Sequence, residues 1–196
     1  MTEERLGQIK NGQLYKLLDA AVSSTEGNMF SGDDGAGTPK NILERMDAIA
    51  GVIKQKRHRH IIETGTNKAF FRLFCAEYCQ VEAYRSFGND PESKAAADIA
   101  NQHGLHMEFV EGDTNETFTK EKAEGFDLAW IDGGHSYGTC SRDLKVSIEA
   151  GVPTILVDDY DFEEVRKAFE EMFFKTVGWA FGRIHPCIGL IQKIGQ

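Results

Sequence analysis

Asp132 and His135 stand three residues apart in "IDGGHSY" (131–137), where an apolar run ends, with two glycines between them. A second apolar run, "TILVDDY" (154–160), ends in the adjacent carboxylates Asp158 and Asp159. Brought together, Asp132, Asp158 and Asp159 would offer hard oxygen ligands, suited to Mg2+, Mn2+ or Ca2+ rather than zinc. Without a cation they repel, and each raises the others' pKa. Gly133 and Gly134 let the backbone turn sharply beside a ligand. A neutral imidazole at His135 can take a proton from a substrate hydroxyl, and a nearby cation makes that hydroxyl easier to deprotonate. The competing reading is plainer. The aspartates are then separate turn formers and His135 a solvent-facing helix start.

For these side chains to meet, both runs must be neighbouring strands of one sheet. From about residue 40 the chain alternates. Strand-like runs at 59–64, 81–87, 105–112, 126–132 and 152–159 are separated by helical patterns at 68–79, 91–104, 136–151 and 161–174, with a short helix at 115–124. Such alternation predicts an α/β fold with a parallel sheet covered by helices. Two last strand-like runs flank His185-Pro186 with no helix between them, which predicts an antiparallel closing hairpin. Before residue 40, a helical pattern with Gly12 as its weak point precedes "TEGNMFSGDDGAGTPK" (25–40), which reads as a mobile lid or binding loop. Thr38-Pro39 then reads as the start of a helix carrying Ile42, Leu43, Met46, Ile49, Val52 and Ile53. The expectation is one domain over 1–196, with 1–37 a helical extension and Gly/Asp-rich loop.

In open α/β sheets ligands bind beyond the carboxyl ends of the strands. All five parallel strands end in acids. They are Glu63 with Gly65 and Thr66, Asp90, Asp113, Asp132 with His135, and Asp158-Asp159 with Tyr160. One such acid is ordinary turn chemistry. Five at one edge point to a site.

The gross numbers narrow the partners. The 196-residue chain carries a net charge of −9, which argues against nucleic acid. The basic run "KQKRHRH" (54–60) reads as a solvated helix end. No stretch approaches the ~20 apolar residues of a membrane span. The cytoplasm is the expected setting, and the four cysteines are expected as free thiols. Oligomeric state, including a homo-oligomer, stays open.

Over about residues 38–194 the sequence resembles the class I S-adenosylmethionine-dependent methyltransferases. It is most similar to the metal-dependent small-molecule O-methyltransferases of methyltransferase family 24. The resemblance lies in "IIETGT", "FDLAWIDGGHSYGTCSRDL" and "TILVDDY". It implies a Rossmann-like doubly wound seven-stranded sheet, mostly parallel with an antiparallel C-terminal hairpin strand. It also implies residue roles. Glu63, Gly65 and Thr66 form the loop under the methionine part of the cofactor. Asp90 takes the ribose hydroxyls, and Asp113 lies near the adenine. Asp132 borders the cofactor and, with Asp158 and Asp159, holds Mg2+ (or Mn2+ or Ca2+). His135 is the general base. The acceptor implied is a small sugar, diol or catechol-like hydroxyl. One position departs: Ala69 stands where the family's first loop usually ends in glycine. Three alternatives remain. One is a metal-independent methyltransferase. The others are a methyltransferase fold that only binds a ligand or partner, and a metal-dependent sugar-nucleotide transferase.

Overall fold

The computed structural model describes residues 2–21 and 39–195. The loop read as a lid at 25–38 lies outside the described residues. Helices α1 (Glu3–Asn11) and α2 (Gln13–Ala21) come first, then α3 (Pro39–Lys56). The expected weak point is where α1 ends, because Gly12 is extended at φ −63°, ψ 146°. The alternating region follows as β1 (His60–Thr64), α4 (Phe70–Tyr78), β2 (Ala83–Gly88), α5 (Pro91–Gln102) and β3 (Glu108–Glu111). It continues with α6 (Thr114–Thr117), α7 (Lys120–Ala123), β4 (Leu128–Ile131), α8 (Tyr137–Glu149), β5 (Thr154–Val157), α9 (Glu163–Lys175), β6 (Trp179–His185) and β7 (Ile188–Lys193).

The seven strands form one sheet in the order β3-β2-β1-β4-β5-β7-β6. The first five pair in parallel, and β7 pairs antiparallel with both β5 and β6. The order reverses beside β1, so the crevice between β1 and β4 opens at the switch point where such sheets bind ligands. Strands β4 and β5 are adjacent, with Ile131 level with Val157, so their carboxyl ends carry the acids side by side.

Both faces of the sheet are covered. Ile61, Trp130 and Leu156 pack with α3 and α4 residues such as Met46, Ile53 and Phe74. Ile62, Ala129 and Ile155 pack on the other face with Leu144 of α8 and Phe169 of α9. This alternation along each strand is the period-two pattern of a sheet buried on both sides.

Two of the elements that are shorter than the periodicity predicts show why. Residues 105–107 do not join β3, because the Asn101 side chain brackets Met107. Its amide oxygen accepts from the Met107 N–H at 2.6 Å and its amide nitrogen donates to the Met107 carbonyl at 2.9 Å. The helix expected over 115–124 is two single turns, broken where Phe118 drives into the core against Phe87. The basic run at 54–60 is not solvated throughout. His58 is buried, with Nδ1 3.3 Å from Asp127 Oδ1. All four cysteines are free thiols.

Candidate active site

The carboxyl ends of β1, β2, β3 and β4 enclose a cleft of ≈ 900 Å³. Its floor is made by Gly65. The Gly65 and Thr66 N–H groups donate to the Phe87 carbonyl, and the Asp132 N–H donates to the Thr64 carbonyl at 3.0 Å. These bonds carry the sheet's ladder into the loops. At Gly65 φ is +87°, and an added Cβ would lie 2.0 Å from the Asp132 carbonyl oxygen. Glycine is required here by handedness and by space.

Ala69 closes the same loop at φ +55°, the left-handed region where glycine is favoured. The backbone takes that shape anyway, and the bulky residues around it turn away from the cleft. Phe71 stacks on Trp130 with ring centroids 4.3 Å apart, and Phe70 stacks on Tyr15 at 4.8 Å. Lys68, nearly buried, reaches Asp19 of α2 at 2.9 Å.

Five of the six residues expected at the cofactor line this cleft: Gly65, Thr66, Asp90, Asp113 and Asp132. Two of them also cap helices. Asp90 accepts from the Ser93 N–H at 2.7 Å and its hydroxyl at 2.6 Å, starting α5. Asp113 accepts from the Asn115 N–H at 2.8 Å, starting α6. Glu63 does not line the cleft. It is buried behind it, accepting from the Ser86 hydroxyl at 2.7 Å. Burial pushes its carboxyl up to about 8, against the pull of Ser86 and Tyr84.

At the ends of β4 and β5, Asp132, His135 and Asp159 each offer one ligand atom within 4.8 Å of the others. His135 Nε2 is 2.8 Å from Asp159 Oδ2, and the imidazole is half-exposed against Phe162. Asp159 turns toward His135 through a left-handed backbone, φ +55°. Trp130 Nε1 donates to Asp132 Oδ2 at 3.2 Å. Asp132 is held well above the usual carboxylate range, first by burial of its carboxyl, then by Asp158 and Asp159, with Arg45 opposing. Asp158 stands outside this group of three, though near enough to raise Asp132. It is buried in an ion pair with Arg45 of α3, and its Oδ1 accepts from the Asp159 N–H at 2.9 Å. Carboxylates at this spacing fit one divalent cation, which would relieve the like-charge crowding on Asp132. Asp132 and Asp159 are the two of the three expected aspartates that come together with His135, and the third, Asp158, is held by Arg45.

Sequence reasoning missed Trp130 and Arg45. Trp130 lies two residues before Asp132, so strand alternation already puts both on one side. Arg45 has no local signal, being 113 residues from Asp158.

A strand order of this kind, a glycine floor at the switch point and acids beyond the strand ends define a nucleotide-cofactor α/β enzyme. A family model described as a methyltransferase domain, of methyltransferase family 24, matches residues 62–160. The chain belongs to this family and is an S-adenosylmethionine-dependent methyltransferase. No curated protein matches it. Solved structures share its fold. An O-methyltransferase from Bacillus cereus in complex with S-adenosylhomocysteine superposes with a TM-score of 0.67 at 11% identity, covering 99% of this chain and 92% of that one. The O-methyltransferase TomG from Streptomyces achromogenes, involved in tomaymycin synthesis, gives 0.64 at 12%, covering 100% of each chain. The methyltransferase PaMTH1 from Podospora anserina gives 0.63 at 12%, covering 98% and 97%.

Proposed function

We propose that this chain transfers the methyl group of S-adenosylmethionine to a hydroxyl oxygen of a small molecule, with a divalent cation at the acid cluster. The observation that carries the reading is the His135–Asp159 contact beside Asp132, at the mouth of the glycine-floored cleft. The neighbours solved with S-adenosylmethionine or its product support the cofactor. Gly65 and Thr66 pass under its methionine part, Asp90 faces its ribose and Asp113 its adenine.

The transfer is an in-line displacement. The acceptor oxygen forms a bond to the methyl carbon, the carbon–sulfur bond breaks, and its electron pair stays on sulfur as S-adenosylhomocysteine. The hydroxyl proton goes to His135, which Asp159 holds in place; such general-base help contributes ~10²–10⁴-fold. Asp132 and Asp159 would hold Mg2+ or Mn2+, which when bound orients a chelating diol and lowers its hydroxyl pKa. Alignment by the cleft supplies several kcal/mol, up to ~7–11 in ideal cases.

The test is turnover against a panel of catechols, vicinal diols and sugars, with Mg2+ or with EDTA. His135→Ala should lower kcat by ~10²-fold or more while S-adenosylhomocysteine still binds. If Asp132→Asn keeps metal-dependent turnover, the role given to Asp132 is wrong. One observation favours a second reading. Arg45 already supplies the cluster with a cation, which would suit transfer without metal. Turnover undiminished in EDTA selects that reading.

A further inference from the structure

The loop from β1 to α4 is left-handed at Gly65, Asn67 and Ala69, with φ of +87°, +40° and +55°. Glycine takes this shape freely and asparagine tolerates it, whereas alanine resists it. Ala69 is also the joint between the cleft and α4. Its N–H donates to the Thr66 carbonyl at 2.7 Å, and its carbonyl accepts from the Leu73 N–H at 3.1 Å. Relaxation of Ala69 to the ordinary backbone region would therefore move Gly65 and Thr66, which line the cleft.

A strained residue persists only where its surroundings over-determine it. The residues on either side of Ala69 are both pinned by one helix. Lys68 Nζ lies 2.9 Å from Asp19 Oδ1. The Phe70 ring lies parallel to that of Tyr15, with centroids 4.8 Å apart and planes 4° apart. Tyr15 and Asp19 are four residues apart in α2, so they stand one turn apart on one face. Tyr15, Lys68 and Phe70 are all buried, which shelters both ties from water. We propose that α2 is a strap that holds Ala69 left-handed where glycine would need no help, with Tyr15 and Asp19 as positioning residues for the cofactor loop. Neither residue lines the cleft. Each acts through its partner in the loop, so that the loop meets the cofactor already in its binding shape. The inference rests on the placement of S-adenosylmethionine in this cleft.

The experiment measures S-adenosylhomocysteine affinity by calorimetry and stability by urea unfolding on the full chain. Asp19→Asn and Tyr15→Leu each remove one tie and should bind about tenfold more weakly, a difference of ~1.4 kcal/mol. Ala69→Gly alone keeps the strap and should bind within about threefold of the parent. In the Ala69→Gly background, Asp19→Asn should cost less than about threefold, because glycine keeps the left-handed shape with one tie gone. That rescue separates a strap acting on Ala69 from a helix that only stabilises the fold. Parent-like binding by either single variant in α2 overturns the inference. So does an equal loss from Asp19→Asn in both backgrounds, or Ala69→Gly alone binding as weakly as Asp19→Asn. If Tyr15→Leu does not fold, Asp19→Asn decides, since the Asp19 side chain is half-exposed. Asn89→Trp separates this from the cleft assignment. Asn89 is exposed on the cleft wall, so unchanged affinity in that variant would refute the cofactor placement itself.

Discussion

Gly65→Ala isolates what the close approach of β1 and β4 contributes. Two costs add at this position. Alanine in a left-handed conformation is disfavoured by ~1–2 kcal/mol, and φ here is +87°. The new methyl would also lie 2.0 Å from the Asp132 carbonyl oxygen, a backbone atom that no side-chain rotation can move. Relieving the overlap requires the β4 end to shift by over ~1 Å, in the range where overpacking costs ~1–3 kcal/mol. The sum is ~2–5 kcal/mol out of a total stability of ~5–15. At ~2–4 °C per kcal/mol for a chain of this size, the melting temperature should fall by ~5–20 °C. Gly104→Ala is the control: φ is +82°, but nothing lies within 4 Å of an added Cβ. That variant bears only the handedness cost and should lose a few degrees. Melts of both variants, with and without S-adenosylhomocysteine, give the answer. Equal losses at the two positions would refute the close-approach argument. Because Gly65 floors the cleft, its variant should also lose most of the ligand-induced shift.

Three further outcomes are expected. The folded state binds a proton at Glu63 more tightly than the unfolded chain does, so its stabilising effect is complete below the ordinary carboxylate range and is lost as pH rises toward about 8. Glu63→Gln should therefore exceed the parent at pH 8.5 by ~1 kcal/mol or more, the gain vanishing near pH 5; parallel stability–pH curves would contradict this. Arg45→Met should cost ~3–5 kcal/mol by leaving Asp158 buried and uncompensated, and adding Asp158→Asn should restore at least half, as read by urea unfolding. Ala69→Gly should change stability by less than ~1 kcal/mol, since relief of the left-handed backbone offsets the lost buried methyl, whereas Ala69→Val should cost ~2 kcal/mol or more by overpacking.

Much of the scaffold was legible because its signals are local. Asp90-Pro91 announces the start of α5, and the apolar runs ending at Ile131 and Val157 announce buried strands. That Asp132 meets the acids of the fifth strand follows once β4 and β5 are neighbours. Which of the two acids would face His135 was not legible. The register sets Asp132 beside Asp158, yet Asp158 is drawn to Arg45, and a left-handed residue swings Asp159 toward His135 instead. A positive φ at an aspartate and a partner 113 residues away leave no trace in periodicity. Glu63 stands behind the cleft lining for a related reason. It is level with Ser86 on one side and Trp130 on the other, so it faces the side of the sheet that α3 and α4 cover. Register of that kind is a property of the assembled sheet.

The place of β7 has a consequence for how the site comes into being. It lies between β5 and β6, hydrogen-bonded from Ile155 to Ile191 and from Val157 to Gly189. On a growing polypeptide, β5 therefore waits with one side open until the ribosome has delivered residues more than thirty positions further on. The strand that presents Asp158 and Asp159 gains its second neighbour only after the five parallel strands have been made. The acid cluster then waits on β7 for a fixed frame, and a chain stalled before β7 would expose an apolar strand edge of the kind that chaperones and aggregation compete for.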